Sequence, residues 1–329
     1  MTHMATWKTQ LPNSRVQPRF AGHATFCRYP RLEDVAPASH PVDWALYGCP
    51  YDGGVSYRSG ARFGPRAIRE ASQYVKGHHL VHDVAVPQIL SLADAGDAPI
   101  SHPYSCEETA QSIAEWAIAL PDAGATKLLA VGGDHSIALP NIRATHQRLG
   151  VQEPIALIHF DAHLDTLDTL WGERFSHASP FRRAIEERLI DPARMISIGI
   201  RGPINTSADL DYARDNGVTI ITYEDWRWSD GAQRIAAFLK RLGDDPAHLS
   251  FDIDCVDPAF APGTGTLAPG GFTSPEILHV LRSLAGAHLV GAEVVEVLPD
   301  RDVSGVTAFL AAHVCFEILA LDAIRAMQR

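Results

Sequence analysis

Cysteine is sparse. Cys27, Cys49, Cys106, Cys255 and Cys315 are scattered and form no CxxC pair, so neither a disulfide framework nor a thiolate zinc site is indicated. A reducing, cytoplasmic setting is the expectation. Basic charge is also short: 28 Lys and Arg stand against 39 Asp and Glu, a formal net charge of −11. A chain this acidic lacks the basic face that nucleic-acid backbones attract. No stretch approaches the roughly 18 apolar residues of a membrane span. The opening MTHMATWKTQLPNSRVQPRF has neither an apolar core nor a cleavage signature. Repeats and low-complexity tracts are missing too.

What is present is alternation. WALYGCP, KLLAVGG, IALIHFD, MISIGIR, VTIITY, HLSFDID and HLVGAEVVEV read as strands buried on both faces. Between them CEETAQSIAEWAIAL, IALPNIRATHQRL, SPFRRAIEERL, GAQRIAAFLKRL and SPEILHVLRSL carry apolar residues at intervals of three and four behind Ser, Asp or Pro start signals. Strands alternating with helices predict a three-layer α/β/α fold around a mostly parallel sheet, with ligands beyond the carboxyl ends of the strands. The expected organisation is an irregular arm over residues 1–40, of a kind that often lies on a neighbouring subunit, and one domain over 41–329. The apolar C-terminal stretch FLAAHVCFEILALDAIRAM is expected to pack on the sheet.

Three strand ends carry polar clusters: VGGDHS with His135, HFDAHLD with Asp161, His163 and Asp165, and SFDIDCVDP with Asp252 and Asp254. One such cluster is ordinarily a cap or a turn. Three on one rim concentrate negative charge that burial makes untenable without cations. Carboxylates and imidazoles with no thiolate suit Mn²⁺, Ni²⁺ or Fe²⁺ better than structural Zn²⁺. Six ligands exceed what one open site needs and suit two ions bridged by carboxylates about 3.5 Å apart, which lower the pKa of a shared water. Alternation in an extended turn lets Asp161, His163 and Asp165 face one way while Ala162 and Leu164 pack. Glu296 in EVVEVLP is a candidate for holding a guanidinium through paired hydrogen bonds, and His177 in RFSHASPF a candidate proton relay.

GGDHS, DAHLD and SFDIDCVDP, in this order, resemble the three metal signatures of the ureohydrolases, the arginase and agmatinase family. YDGGVSYRSGARFGPRAIREAS, IGIRG, DPAFAPGTGT and EVVEVLP extend the likeness over nearly all of the chain after residue 40 and favour the agmatinase branch. The resemblance implies an arginase-like fold and hydrolysis of a guanidino compound to urea and an amine. It puts His135, Asp161, Asp165 and Asp252 around one metal and Asp161, His163, Asp252 and Asp254 around the other, Mn²⁺ or Ni²⁺ in each. Asp161 and Asp252 bridge, Asp165 orients the attacking hydroxide, Glu296 holds the guanidinium and His177 shuttles a proton. It also implies homo-trimers or hexamers, with a paralogous second subunit as an alternative.

Departures concern the substrate shell. HASPF stands where agmatinases usually read His-Gly-Thr-Pro-Phe, placing Ala178 and Ser179 beside the substrate; Glu293 stands for an Asp; Leu267 and Ala268 replace a Thr-Pro pattern. The candidate substrates are therefore agmatine, 4-guanidinobutyrate, free guanidine, and substituted guanidines or biguanides such as metformin. Two rival readings are a single-zinc deacetylase of related fold, which the second His and extra carboxylates disfavour, and a non-catalytic partner subunit.

Overall fold

The computed structural model describes residues 9–35, 42–120 and 127–328. Its centre is an eight-stranded sheet: β1 (Trp44–Cys49), β2 (Leu92–Asp97), β3 (Lys127–Gly132), β4 (Ile155–Phe160), β5 (Ile190–Ile200), β6 (Thr219–Thr222), β7 (Pro246–Asp252) and β8 (His288–Val295). The spatial order is β2-β1-β3-β8-β7-β4-β5-β6, and every pairing is parallel. Seven of these strands are the apolar runs expected from sequence. The eighth, β2, is LADAGD, an edge strand whose one partner strand is β1 and which is partly exposed, so it needs none of the β-branched residues that mark a central strand.

Seven helices of seven or more residues flank the sheet among the described residues: α1 (Gly64–Ser72), α2 (Cys106–Ile118), α3 (Ala138–Leu149), α4 (Pro180–Glu186), α5 (Gly231–Leu242), α6 (Ser274–Arg282) and α7 (Val306–Gln328). The period-two pleat divides the strand residues between two cores. Trp44, Leu46, Leu129, Val131, Ile158 and Phe160 pack with α1, α5, α6 and α7, while Ala45, Tyr47, Leu128, Ala130 and Leu157 meet α2, α3 and α4. The three-layer α/β/α expectation holds.

The C-terminal helix α7 is long and apolar enough to cross a membrane by length and composition, yet it lies mostly buried against the sheet and α1. Trp44 Nε1 and Lys127 Nζ donate to its Asp322 carboxylate at 2.8 and 2.6 Å, tying it to β1 and β3. Of the expected arm, Thr9 and the stretch from Phe26 to Leu32 pack on their own chain. Phe26, Cys27 and Tyr29 enter the core beside α1, Phe26 N–H donates to Asp94 Oδ2 (2.8 Å), and Arg19 donates to the carbonyls of Gln73 and Val75. Residues 1–8 and 36–40 lie outside the described residues.

Candidate metal centre

The four middle strands β3, β8, β7 and β4 end side by side, with Phe160 level with Phe251 and Val295 level with Asp252. The turn after β3 is as tight as its glycines allow. A Cβ on Gly133 would stand 2.2 Å from the Tyr51 carbonyl oxygen and 2.6 Å from that of Cys49. That approach delivers Asp134, which accepts from Gly54 N–H (2.7 Å) and Ser136 N–H (2.9 Å), and then His135.

His135 is fully buried. Its Nδ1 lies 2.8 Å from Asp165 Oδ2, 3.0 Å from Asp161 Oδ2 and 3.3 Å from Asp252 Oδ2, yet none of these contacts has hydrogen-bond geometry and the atom is left without a partner. Its Nε2 bonds Ser250 Oγ at 2.8 Å. With the proton on Nε2, the Nδ1 lone pair faces three carboxylates, an arrangement that a cation at the point of convergence relieves. A second convergence lies alongside: His163 Nδ1 is 3.2 Å from Asp161 Oδ1 and 3.1 Å from Asp254 Oδ2. The two imidazoles thus approach opposite oxygens of one carboxylate. All six expected ligands are brought together.

The electrostatics tell of missing positive charge. Burial, and then the charges of Asp254 and Asp161, push the Asp252 carboxyl well above its ordinary range. Burial opposes charge on His135 and His163, but the surrounding carboxylates outweigh it and raise both far above a normal imidazole. All three shifts mark a concentration of buried negative charge of the kind a pair of divalent cations neutralises.

Backbone conformation fixes two of the acidic groups. Asp165 and Glu296 both have left-handed φ, 53° and 64°, unusual for residues with a Cβ and typical of functional sites. Glu296 Oε1 accepts from His135 N–H and pairs with His177 Nδ1, each at 2.9 Å. His177 Nε2 faces Ser56 Oγ (2.7 Å) and Ser56 N–H (3.0 Å). Burial lowers the His177 pKa, but the Glu296 bond and charge and the charges of Asp134 and Asp165 prevail and lift it to about 9.

Above the cluster opens a cavity of about 310 Å³, lined by His163, Asp165, His177, Ala178 and Asp252 among others. Ala178 is where sequence reasoning put it. Glu296, buried behind His177, is not among the residues that line the cavity, and neither is Ser179. It is buried in its own loop, where Oγ donates to the Arg174 carbonyl (2.8 Å) and accepts from Ser176 N–H (3.0 Å). Among residues sequence reasoning passed over, His159 contacts Asp161 Oδ2 through Nε2 (2.9 Å) and Ser197 Oγ through Nδ1 (3.1 Å). The signal was there: period two puts 159 on the same face as 161, 163 and 165. Ser250 follows the same rule, two residues before Asp252.

Glu293 sits deeper, fully buried on β8 opposite Ser250. It receives His248 Nε2 at 2.5 Å and Asn141 Nδ2 at 2.7 Å, and Asn141 Oδ1 in turn accepts from Tyr47 OH at 2.9 Å. This network underlies the metal residues and does not enter the cavity.

Fold and site together define a hydrolase of the arginase family, and the family profile matches residues 42–321. The chain belongs to that family. It is 43% identical to a guanidinopropionase of Pseudomonas aeruginosa over 92% of this chain and 93% of that protein. It is 37% identical to a guanidinobutyrase of the same organism, covering 92% and 93%. The solved structure of proclavaminate amidinohydrolase from Streptomyces clavuligerus superimposes with a TM-score of 0.85 at 39% identity, covering 94% of this chain and all of that one.

Proposed function

We propose that the protein hydrolyses a small guanidino compound to urea and an amine at a centre of two divalent cations. The observation that carries this reading is the sharing of Asp161, whose Oδ2 faces His135 Nδ1 at 3.0 Å and whose Oδ1 faces His163 Nδ1 at 3.2 Å. A carboxylate with one oxygen toward each of two imidazoles suits a bridged pair of cations better than the single ion of a zinc deacetylase. The names of the relatives, guanidinopropionase and guanidinobutyrase, support the guanidino class.

His135, Asp161, Asp165 and Asp252 would hold one cation, and Asp161, His163, Asp252 and Asp254 the other. Oxygen and imidazole donors without thiolate fit Mn²⁺ or Ni²⁺. When bound, the pair supplies an activated water at neutral pH and neutralises developing charge.

The chain's own residues do the rest. Glu296 has Oε1 occupied by His135 N–H and His177, leaving Oε2 to accept from guanidinium nitrogens. Asp165, on the cavity wall, accepts a hydrogen bond from the attacking water and aims it at the guanidinium carbon. That carbon gains an oxygen, its bond to the substituted nitrogen breaks, and the nitrogen keeps the electron pair. His177, also on the wall, relays a proton to this departing amine. The test is urea release by protein reconstituted separately with Mn²⁺ and Ni²⁺ across agmatine, 4-guanidinobutyrate, arginine, guanidine and metformin. No urea from any of them, with two metals bound per chain, would sink the reading.

A further inference from the structure

We propose that the cavity selects a guanidine whose substituent is a short uncharged alkyl group, and discriminates against a tail ending in a carboxylate. The proposal rests on the guanidino-hydrolase reading above and names the other half of its substrate.

Much of the cavity wall is apolar: Leu164, Leu167, Leu170, Ile200, Ile204 and Leu210. Beyond the histidines, Arg201 is the one basic side chain on it among the described residues. It is not free to meet an anion. Nε donates to the Ala268 carbonyl (3.0 Å), Nη1 to those of Gly199 (3.2 Å) and Cys255 (3.0 Å), and Nη2 to those of Asp254 (2.6 Å), Ala268 (2.6 Å) and Val256 (3.3 Å). A guanidinium has five N–H donors in a fixed fork, and these carbonyls consume them.

The remaining ionised group outside the metal residues is Asp209, of the wrong sign for a carboxylate. Its Oδ2 accepts from the backbone N–H groups of Asn205 (3.0 Å) and Thr206 (3.3 Å) and its Oδ1 from Thr206 Oγ1 (3.5 Å), so the loop already draws on both oxygens that an ammonium would need. Among the described residues, one buried polar side-chain atom on the wall lacks a partner. Thr166 Oγ1 is buried and unbonded, and a neutral hydroxyl of this kind can meet one N–H of the bound guanidinium. A single hydroxyl does not replace the water shell of a carboxylate, whereas an alkyl chain loses nothing by leaving water for leucine and isoleucine. Contacts to the tail are the same in ground and transition states, so the discrimination falls in KM.

The experiment compares n-butylguanidine, 4-guanidinobutyrate and agmatine on the metal-loaded protein by urea release, alongside the variant Leu170→Arg. The expected result is kcat/KM for butylguanidine at least about tenfold above both others, carried by KM. Leu170→Arg, with metal content unchanged, should move the ratio toward 4-guanidinobutyrate by tenfold or so. A wild-type preference for either charged substrate, equal rates on all three, or a ratio indifferent to Leu170→Arg overturns the tail assignment and leaves the hydrolase standing. Urea from none of the three, with both metals bound, takes the hydrolase reading down as well.

Discussion

Ser250 Oγ lies 2.8 Å from His135 Nε2, on the side of the ring opposite the carboxylates. The hydroxyl therefore sets which nitrogen presents its lone pair to the cluster. Ser250→Ala should lower divalent-metal affinity by about 10- to 100-fold, the usual effect of losing a partner behind a ligand. Competition against a chelator measures this, and unchanged affinity would show that the tautomer is fixed otherwise.

Asp161 is the one carboxylate that both histidine clusters touch. Asp161→Ala should abolish turnover and metal loading together. Elemental analysis after desalting decides: two metals retained with normal urea release would remove Asp161 from the ligand set.

Glu296→Gln keeps an oxygen for His135 N–H and His177 while replacing the negative charge at Oε2. Metal content should be unchanged, and kcat/KM should fall by roughly 10- to 100-fold, the range for losing a charge-assisted hydrogen bond of about 1.5–3 kcal/mol. If metal is lost instead, Glu296 belongs to the cluster and not to the substrate.

A remote ion cluster makes a pH prediction. Glu317 on α7 receives Arg282 through Nε (3.0 Å) and Nη2 (2.5 Å), and His79 Nε2 at 2.8 Å. Burial raises its pKa, but His79 and Arg282 prevail and hold the carboxyl below its ordinary value. A carboxyl depressed in the folded state contributes stability that is complete above the unfolded pKa, about 4.3, and is lost as pH falls through the folded pKa. The wild type should exceed Glu317→Gln in unfolding free energy by roughly 1–3 kcal/mol at pH 7. The gap should close below about pH 4 as the carboxyl protonates. Urea unfolding at both pH values tests this, and a gap that widens on acidification would reverse the sign assigned to Glu317.

The sheet and the cluster were legible in the sequence because both follow period two. Val, Ile and Leu runs mark the strands, and Asp161, His163 and Asp165 continue the alternation past the end of β4. What escaped lacked such a signal or lay in the third dimension. LADAGD has none of the large residues by which strands are read, and GPRAIREAS opens its helix with glycine and proline. Ser179 reads as a substrate neighbour from its place beside Ala178, but successive residues of a turn point apart, and its hydroxyl closes the loop instead. Nothing in IGIRG marks where the Arg201 side chain goes, and only the folded chain surrounds it with carbonyls.

The cluster's members come from the ends of β3, β4 and β7, with Glu296 contributed beyond β8. His135 and Asp252 are far apart along the chain and meet only when these neighbouring parallel strands are all in register. No early fragment, local hairpin or half-sheet can present the donor set. Metal binding therefore rewards only the completed topology, drawing the folding equilibrium toward it by mass action. The ions would act as a proofreader of assembly, tightening on a chain whose last strand has docked and passing over one whose strand has not.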